Sequence, residues 1–238
     1  MTDLAKIAAV NGGATRSAHC SYLRFSMNGS TLPKRMMALP VDTRDLPVPW
    51  FVAWVGEEPD FRCVAVGKLE EAVRRSLCWV CGQPLGRFKS FVTGPLCAVN
   101  GISAEPPSHR ECAEYSAKTC PFLTKPRMRR NENDLPDIAH PVGSMIDRNP
   151  GVALVWTTSS FRVMRVAEGA LFRVGPPNAV QWFAEGREAT RSEALTSIES
   201  GLPYLRAEAD REGPEACRAL ERLAAQAITL APASAPVP

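Results

Sequence analysis

Four residues in the first half of the chain have the types and spacing to hold a metal ion. Cys78 and Cys81 form a Cys-x-x-Cys pair followed by Gly82, and His109 and Cys112 form a His-x-x-Cys pair. Thiolate sulfur and imidazole nitrogen are donors that Zn2+ takes four at a time, in a tetrahedron. A turn across Cys78 and Cys81 aims two sulfurs at one point, and a glycine after it allows the positive φ such turns need. Residues 109 and 112 share a face if they lie on a helix. The pattern predicts one structural Zn2+ held by Cys78, Cys81, His109 and Cys112. Cys97 and Cys120 are near enough in sequence to replace one of these ligands. A redox Cys-x-x-Cys is the competing reading. Such a pair follows a strand and opens a helix, whereas this one follows a helical pattern and runs into Gly82-Gln-Pro-Leu-Gly86.

Local pattern then dictates the elements that position the donors. Residues 47–55 and 61–66 read as two strands around a turn at residues 56–60, a hairpin. Residues 68–77 read as a helix: Leu69, Ala72, Val73 and Leu77 recur at helical spacing, and Glu70 with Arg74 and Glu71 with Arg75 are i,i+4 pairs. Residues 88–93 and 95–99 are short apolar runs broken by Gly94-Pro95, which predicts a second hairpin. Ser108 and Glu111 match a capping box, which makes Ser108 the N-cap and His109 the first helical residue. The positive end of that helix favours the Cys112 thiolate.

Residues 125–150 are rich in Pro, Asn, Asp and Arg and read as a linker. Lys125, Arg127, Arg129 and Arg130 within it are candidate phosphate contacts, with a solvated charge run as the bland alternative. Beyond the linker, residues 152–157, 161–166, 171–174 and 180–183 read as strands of an antiparallel meander. Thr190 and Glu193 form a second capping box, opening a helix that Gly201 and Pro203 should stop. Residues 204–211 and 214–228 add helical segments, the latter with Leu220, Leu223 and Ala224 on an apolar stripe. The expected fold class is α+β. Its regions are a zinc-binding part over residues 1–124, a basic linker over 125–150, an antiparallel sheet with helices over 151–228, and a disordered tail over 229–238.

With those segments placed, two resemblances emerge. Knuckle, hairpin and ligand-bearing helix over about residues 78–120 resemble the treble-clef zinc modules. The strings Pro47-Val-Pro-Trp-Phe-Val-Ala-Trp54, Cys78-Trp-Val-Cys-Gly-Gln-Pro-Leu-Gly86 and Glu105-Pro-Pro-Ser-His-Arg-Glu-Cys-Ala113 resemble a family of uncharacterised bacterial and phage-type proteins over most of residues 33–205. That likeness implies a bacterial or phage setting and supplies no mechanism.

A net charge of +3 decides nothing about nucleic acid. Residues 1–30 carry no apolar stretch behind a basic start, and no run approaches the roughly 18 apolar residues of a membrane helix. Eight cysteines without an export signal suit metal binding in a reducing cytoplasm. The expected function is therefore a zinc-stabilised binding or regulatory protein that recognises a protein partner.

A nucleic-acid module is the alternative. It would use residues 125–130, extended by Arg87, Lys89 and Arg110, with Phe88 or Phe91 stacking on bases unless they belong to the core. A zinc-dependent hydrolase or deaminase is the third class. His109-Arg-Glu111 matches the His-x-Glu element of zinc deaminases, but Cys112 would fill the position that a catalytic zinc keeps open for water. The candidate hairpin carries no His for a nuclease, and no catalytic residue is assigned.

Overall fold

A computed structural model of the protein describes residues 26–27, 30–126, 128–129, 149, 151–166 and 169–233. In chain order, β1 (Ser26–Met27) and β2 (Ser30–Thr31) pair as a short ribbon, and β3 (Val52–Val55) and β4 (Glu58–Val64) as a longer one. Helix α1 (Lys68–Arg75) leads into the first cysteine pair. It is followed by β5 (Lys89–Thr93), α2 (Pro95–Asn100), β6 (Ile102–Ser103), α3 (Arg110–Thr119) and α4 (Pro121–Thr124). Strands β7 (Ala153–Thr158), β8 (Phe161–Val166), β9 (Gly169–Val174), β10 (Pro177–Ala184) and β11 (Arg187–Glu188) precede two long helices, α5 (Arg191–Glu212) and α6 (Pro214–Thr229). The fold is α+β with antiparallel sheets.

The centre of the structure is β7, whose residues are all buried. Alternate side chains of a strand point to opposite faces. Leu154 and Trp156 enter the main core with Phe91, Phe172, Trp182, Ile198 and Leu220. Ala153 and Val155 point the other way, against Ala113 and Ala117 of α3 and Phe183. The alanines let α3 lie close on the sheet. The strand's polar end is satisfied internally: Thr157 and Ser90 hydroxyls are 2.8 Å apart, and Thr158 Oγ1 donates to the Pro176 carbonyl at 2.8 Å.

Four strands form the main sheet in the order β11-β10-β7-β5, and three form a second in the order β6-β9-β8. Strands β5 and β6 precede residue 125, yet each pairs with a strand from beyond residue 150. The expected meander is therefore not present. Residues 153–158 and 161–166 pair in different sheets, because the turn through Ser160 carries the chain from one sheet to the other. Gly175 returns it, and its N–H bonds the Ser160 carbonyl at 3.0 Å.

Two other elements depart from expectation. The second apolar run of the predicted 88–99 hairpin is helix α2, with Gly94 as N-cap and Pro95 at its start. Pro suits the first helical position because its missing N–H would be unpaired there anyway. Helix α5 runs past Gly201 and Pro203 to Glu212. Pro203 is exposed, while Ile198, Leu202 and Ala209 are buried in the core, so packing outweighs the local stop. On α6, Leu220 and Ala224 are buried as the stripe predicts, but Leu223 is exposed. Among the described residues, no helix is long and apolar enough to cross a membrane.

The second capping box forms as read. Thr190 Oγ1 accepts from the Glu193 N–H, and the Glu193 carboxylate accepts from the Thr190 N–H at 2.8 Å. Arg187 pairs with the same carboxylate at 2.6 Å and is the main reason its pKa falls from 4.5 to about 2. Replacing Thr190 by Ala should cost about 1 kcal/mol, a fall of roughly 2–4 °C in melting temperature for a chain of this size. Differential scanning calorimetry at neutral pH checks it; an unchanged melt would mean that α5 starts independently of its cap.

Candidate metal centre

The knuckle is built by three backbone constraints. Ser76 ends α1 in the left-handed region, φ 51°, and turns the chain away from the helix axis. The Cys78 N–H then bonds the Gln83 carbonyl at 2.8 Å, and the Gly82 N–H bonds the Cys78 carbonyl at 2.8 Å, closing a tight loop. Gly82 has φ 70°, and a Cβ there would meet the Trp50 ring at 2.5 Å. Glycine is thus required twice, for conformation and for room. Trp50 is held over the loop by its own N–H, which bonds the Val80 carbonyl at 2.8 Å, and Phe51 stacks on Trp79 with ring centres 4.6 Å apart.

The second pair of donors arrives by a different route from the one the sequence suggests. Helix α3 begins at Arg110, with His109 as an extended N-cap residue (φ −65°, ψ 151°), and no side chain caps it. Ser108 is not the N-cap. Its N–H and carbonyl both pair with Ser90 of β5, at 2.7 and 2.9 Å. Glu111 reaches across to Arg35 at 2.9 Å instead of back to the Ser108 backbone. The Ser90–Ser108 bridge therefore fixes the start of α3 against the main sheet, and with it His109 and Cys112.

Cys78, Cys81, His109 and Cys112 converge. Their donor atoms all lie within 4.8 Å of one another, and all four residues are buried. Thiolates about 2.3 Å from a tetrahedral zinc sit roughly 3.8 Å apart, so the cluster has the dimensions of a first coordination shell. The imidazole is oriented by the Pro84 carbonyl, 3.0 Å from Nε2. A carbonyl only accepts, so Nε2 carries the proton and Nδ1 faces the cluster, 3.3 Å from Cys81 Sγ. Backbone N–H groups of Cys81 and His109 donate to Cys78 Sγ at 3.4 and 3.3 Å, which favours a thiolate there.

The electrostatics point the same way. Hydrogen bonds from Cys112 and then Cys81 push the Cys78 thiol far below its usual range. Cys78 in turn pushes Cys112 far up, and it is the main reason, with Cys81, that His109 rises to about 10. With protons as the only positive charges, these groups compete for them. A divalent cation would replace the shared protons, and the donor set fits such an ion. Cys97 and Cys120 are not part of the cluster. Cys97 is packed in the main core, where burial pushes its thiol to about 12, and Cys120 sits between α3 and α4.

No protein-family model, no curated protein and no solved structure matches this chain.

Of the basic run, Lys125 and Arg129 are exposed, while Arg127 and Arg130 lie outside the described residues. Phe91 is fully buried in the core, whereas Phe88 is 48% exposed with the Arg87 guanidinium 5.4 Å from its ring centre. His19 and Cys20 also lie outside the described residues. One structural residue escaped the sequence reading. Asn149 is buried, and its Nδ2 donates to the Phe122 carbonyl at 2.7 Å and the Lys125 carbonyl at 2.9 Å, closing the end of α4. A lone Asn in a polar stretch gives no sign of such a role.

Cys81→Ser removes a donor from a site whose binding energy is also folding energy. It should lose metal and melt well below wild type. Cys217 is half-buried on α6 and donates to Asp210 at 3.3 Å, so Cys217→Ser should stay within about 0.5 kcal/mol. Parallel melts with metal analysis check the pair, and equal shifts would sink the assignment. Gly82→Ala should cost at least about 1 kcal/mol from its left-handed backbone alone, with the Trp50 clash added.

Proposed function

We propose that this protein is a zinc-stabilised recognition protein that binds a protein partner, in a reducing compartment such as the cytoplasm. The observation that carries the reading is the closed, buried set of three sulfurs and one imidazole. Zinc suits that mixture of soft and borderline donors, and four protein ligands leave no position for a water nucleophile. Glu111, the residue a deaminase would use to move protons, is engaged with Arg35. A knuckle joined to a ligand-bearing helix is the part of the treble-clef arrangement that supports this view; the hairpin between them is replaced by β5 and α2.

The partner surface we favour is the ribbon of β3 and β4. Among the described residues these strands pair only with each other. Trp54, Val55, Phe61 and Val64 on the ribbon are exposed, and so is Val66 just beyond it. Exposed apolar side chains on a ribbon with no other strand beside it suit a contact site. The ribbon grows directly from the Trp50 and Phe51 packing on the knuckle, so the metal centre holds its base rigid.

Elemental analysis of the purified protein should return about one zinc per chain, and chelation should lower its melting temperature. A photo-crosslinking residue at position 54 should give a discrete adduct in cells that Val64→Asp abolishes, while the same probe at exposed position 206 gives none. Indistinguishable adducts from the two positions would remove the ribbon as the contact surface.

A further inference from the structure

A cleft of about 370 Å³ opens beside His109, and none of the ribbon's side chains lines it. Its lining comes from the segment after the knuckle, from the start of α3 and from the 3-10 turn at Lys34–Met36, and it carries Arg35, Arg87, Phe88, Arg110 and Glu111. We infer that this cleft binds a nucleotide unit, with Phe88 stacking on the base and Arg87, Arg35 and Arg110 facing the phosphate. The inference goes beyond the protein-partner reading and does not depend on it.

Three observations favour a nucleotide over other anions. First, the lining holds three guanidinium groups; Glu111 pairs with Arg35 and Glu114 with Arg110, so Arg87 supplies the uncompensated positive charge of the cleft. Arg35 and Arg110 are each steadied through Nε, by Glu111 at 2.9 Å and Glu114 at 2.6 Å. Arg35 Nη1 also donates to Gln83 Oε1 at 3.3 Å and Arg110 Nη2 to Gln181 Oε1 at 3.2 Å, so each guanidinium is held in place and keeps only part of its five N–H donors for a ligand. Arg87 has no carboxylate partner among the described residues.

Second, Phe88 is an apolar ring left half exposed at the rim of a charged cleft, while its neighbour Phe91 is completely buried. The Arg87 guanidinium lies over the ring. An exposed aromatic beside arginines is the arrangement that receives a stacked base. An acidic peptide uses the arginines but has no need of the ring.

Third, the lining is anchored. His109 bonds the Pro84 carbonyl and is the N-cap residue of α3, and Phe88 lies two residues before Ser90, which is bridged to Ser108. The space is near the lower end of the range for small-ligand sites, about the size of one nucleotide.

The test uses the full-length, zinc-loaded chain and fluorescence anisotropy at low and physiological salt. The probes are a labelled oligothymidylate and an oligouridylate, with AMP, inorganic phosphate and polyglutamate as competitors. Phe88 is exposed, so Phe88→Ala should fold as wild type, which circular dichroism verifies. It should weaken oligonucleotide binding by roughly 5- to 100-fold, the loss of one base stack, and Phe88→Trp should restore it.

Arg87→Ala should also weaken binding and flatten its salt dependence. The double variant Lys125→Ala, Arg129→Ala separates the cleft from the basic run and should bind as wild type. Competition by AMP at concentrations similar to an oligomer's would identify a free nucleotide as the source; competition by oligomers alone would identify a strand. The inference is overturned if wild type binds no probe at low salt, if Phe88→Ala binds as tightly as wild type, or if polyglutamate competes as well as the oligonucleotides do.

Discussion

Three thiol groups and an imidazole held within 4.8 Å, shielded from water, cannot all carry their preferred charges unless positive charge sits among them. Desolvation makes each thiolate costly, and proximity makes the second and third costlier. A metal ion would reverse that balance and turn the cluster from the least favourable part of the interior into an anchor. Much of the first half is arranged around this constraint. The knuckle bends so that backbone N–H groups face Cys78 Sγ, the Pro84 carbonyl sets the imidazole, and Trp50 closes over Gly82.

The anchor would be local were it not for the Ser90–Ser108 bridge. Through it, β5 touches the metal centre on one edge and β7 on the other. Helix α3 makes the same link from above, with Cys112 and Tyr115 in the metal-centre cluster and Ala113 and Ala117 on the sheet. Position along one helix thus joins two cores, and the cleft beside His109 opens at the start of that helix. Its two walls are fixed by the same contacts that orient the donors.

The convergence of Cys78, Cys81, His109 and Cys112 was legible in the sequence because the pattern depends on residue type and short spacing, both of which are local. The Thr190–Glu193 box and α1 were legible for the same reason. The misreadings share a cause. Residues 95–99 are apolar enough for a strand or a short helix, and Gly94-Pro95 serves as a turn or as a helix start; neighbouring packing decided for the helix. Ser108 has the chemistry of an N-cap, but a strand eighteen residues earlier claims its backbone. The strands beyond residue 150 were placed correctly in the chain and wrongly in space, since sequence adjacency does not say that β7 turns to β10 and β5. Asn149 was invisible because its partners, the carbonyls at the end of α4, come from a distant stretch of chain.

The sharing of β5 has a consequence for how the chain emerges from the ribosome. When residue 124 has been made, the four metal donors and the Ser108 bridge are available, but the other edge of β5 has no partner. It stays open until residue 158 is synthesised, since Lys89 pairs with Thr158 and Thr93 with Leu154. An unpaired strand flanked by apolar side chains is the kind of edge on which nascent chains associate. Early metal capture would fix one side of that strand while the other waits, so metal supply during synthesis would bear on yield as well as on final stability.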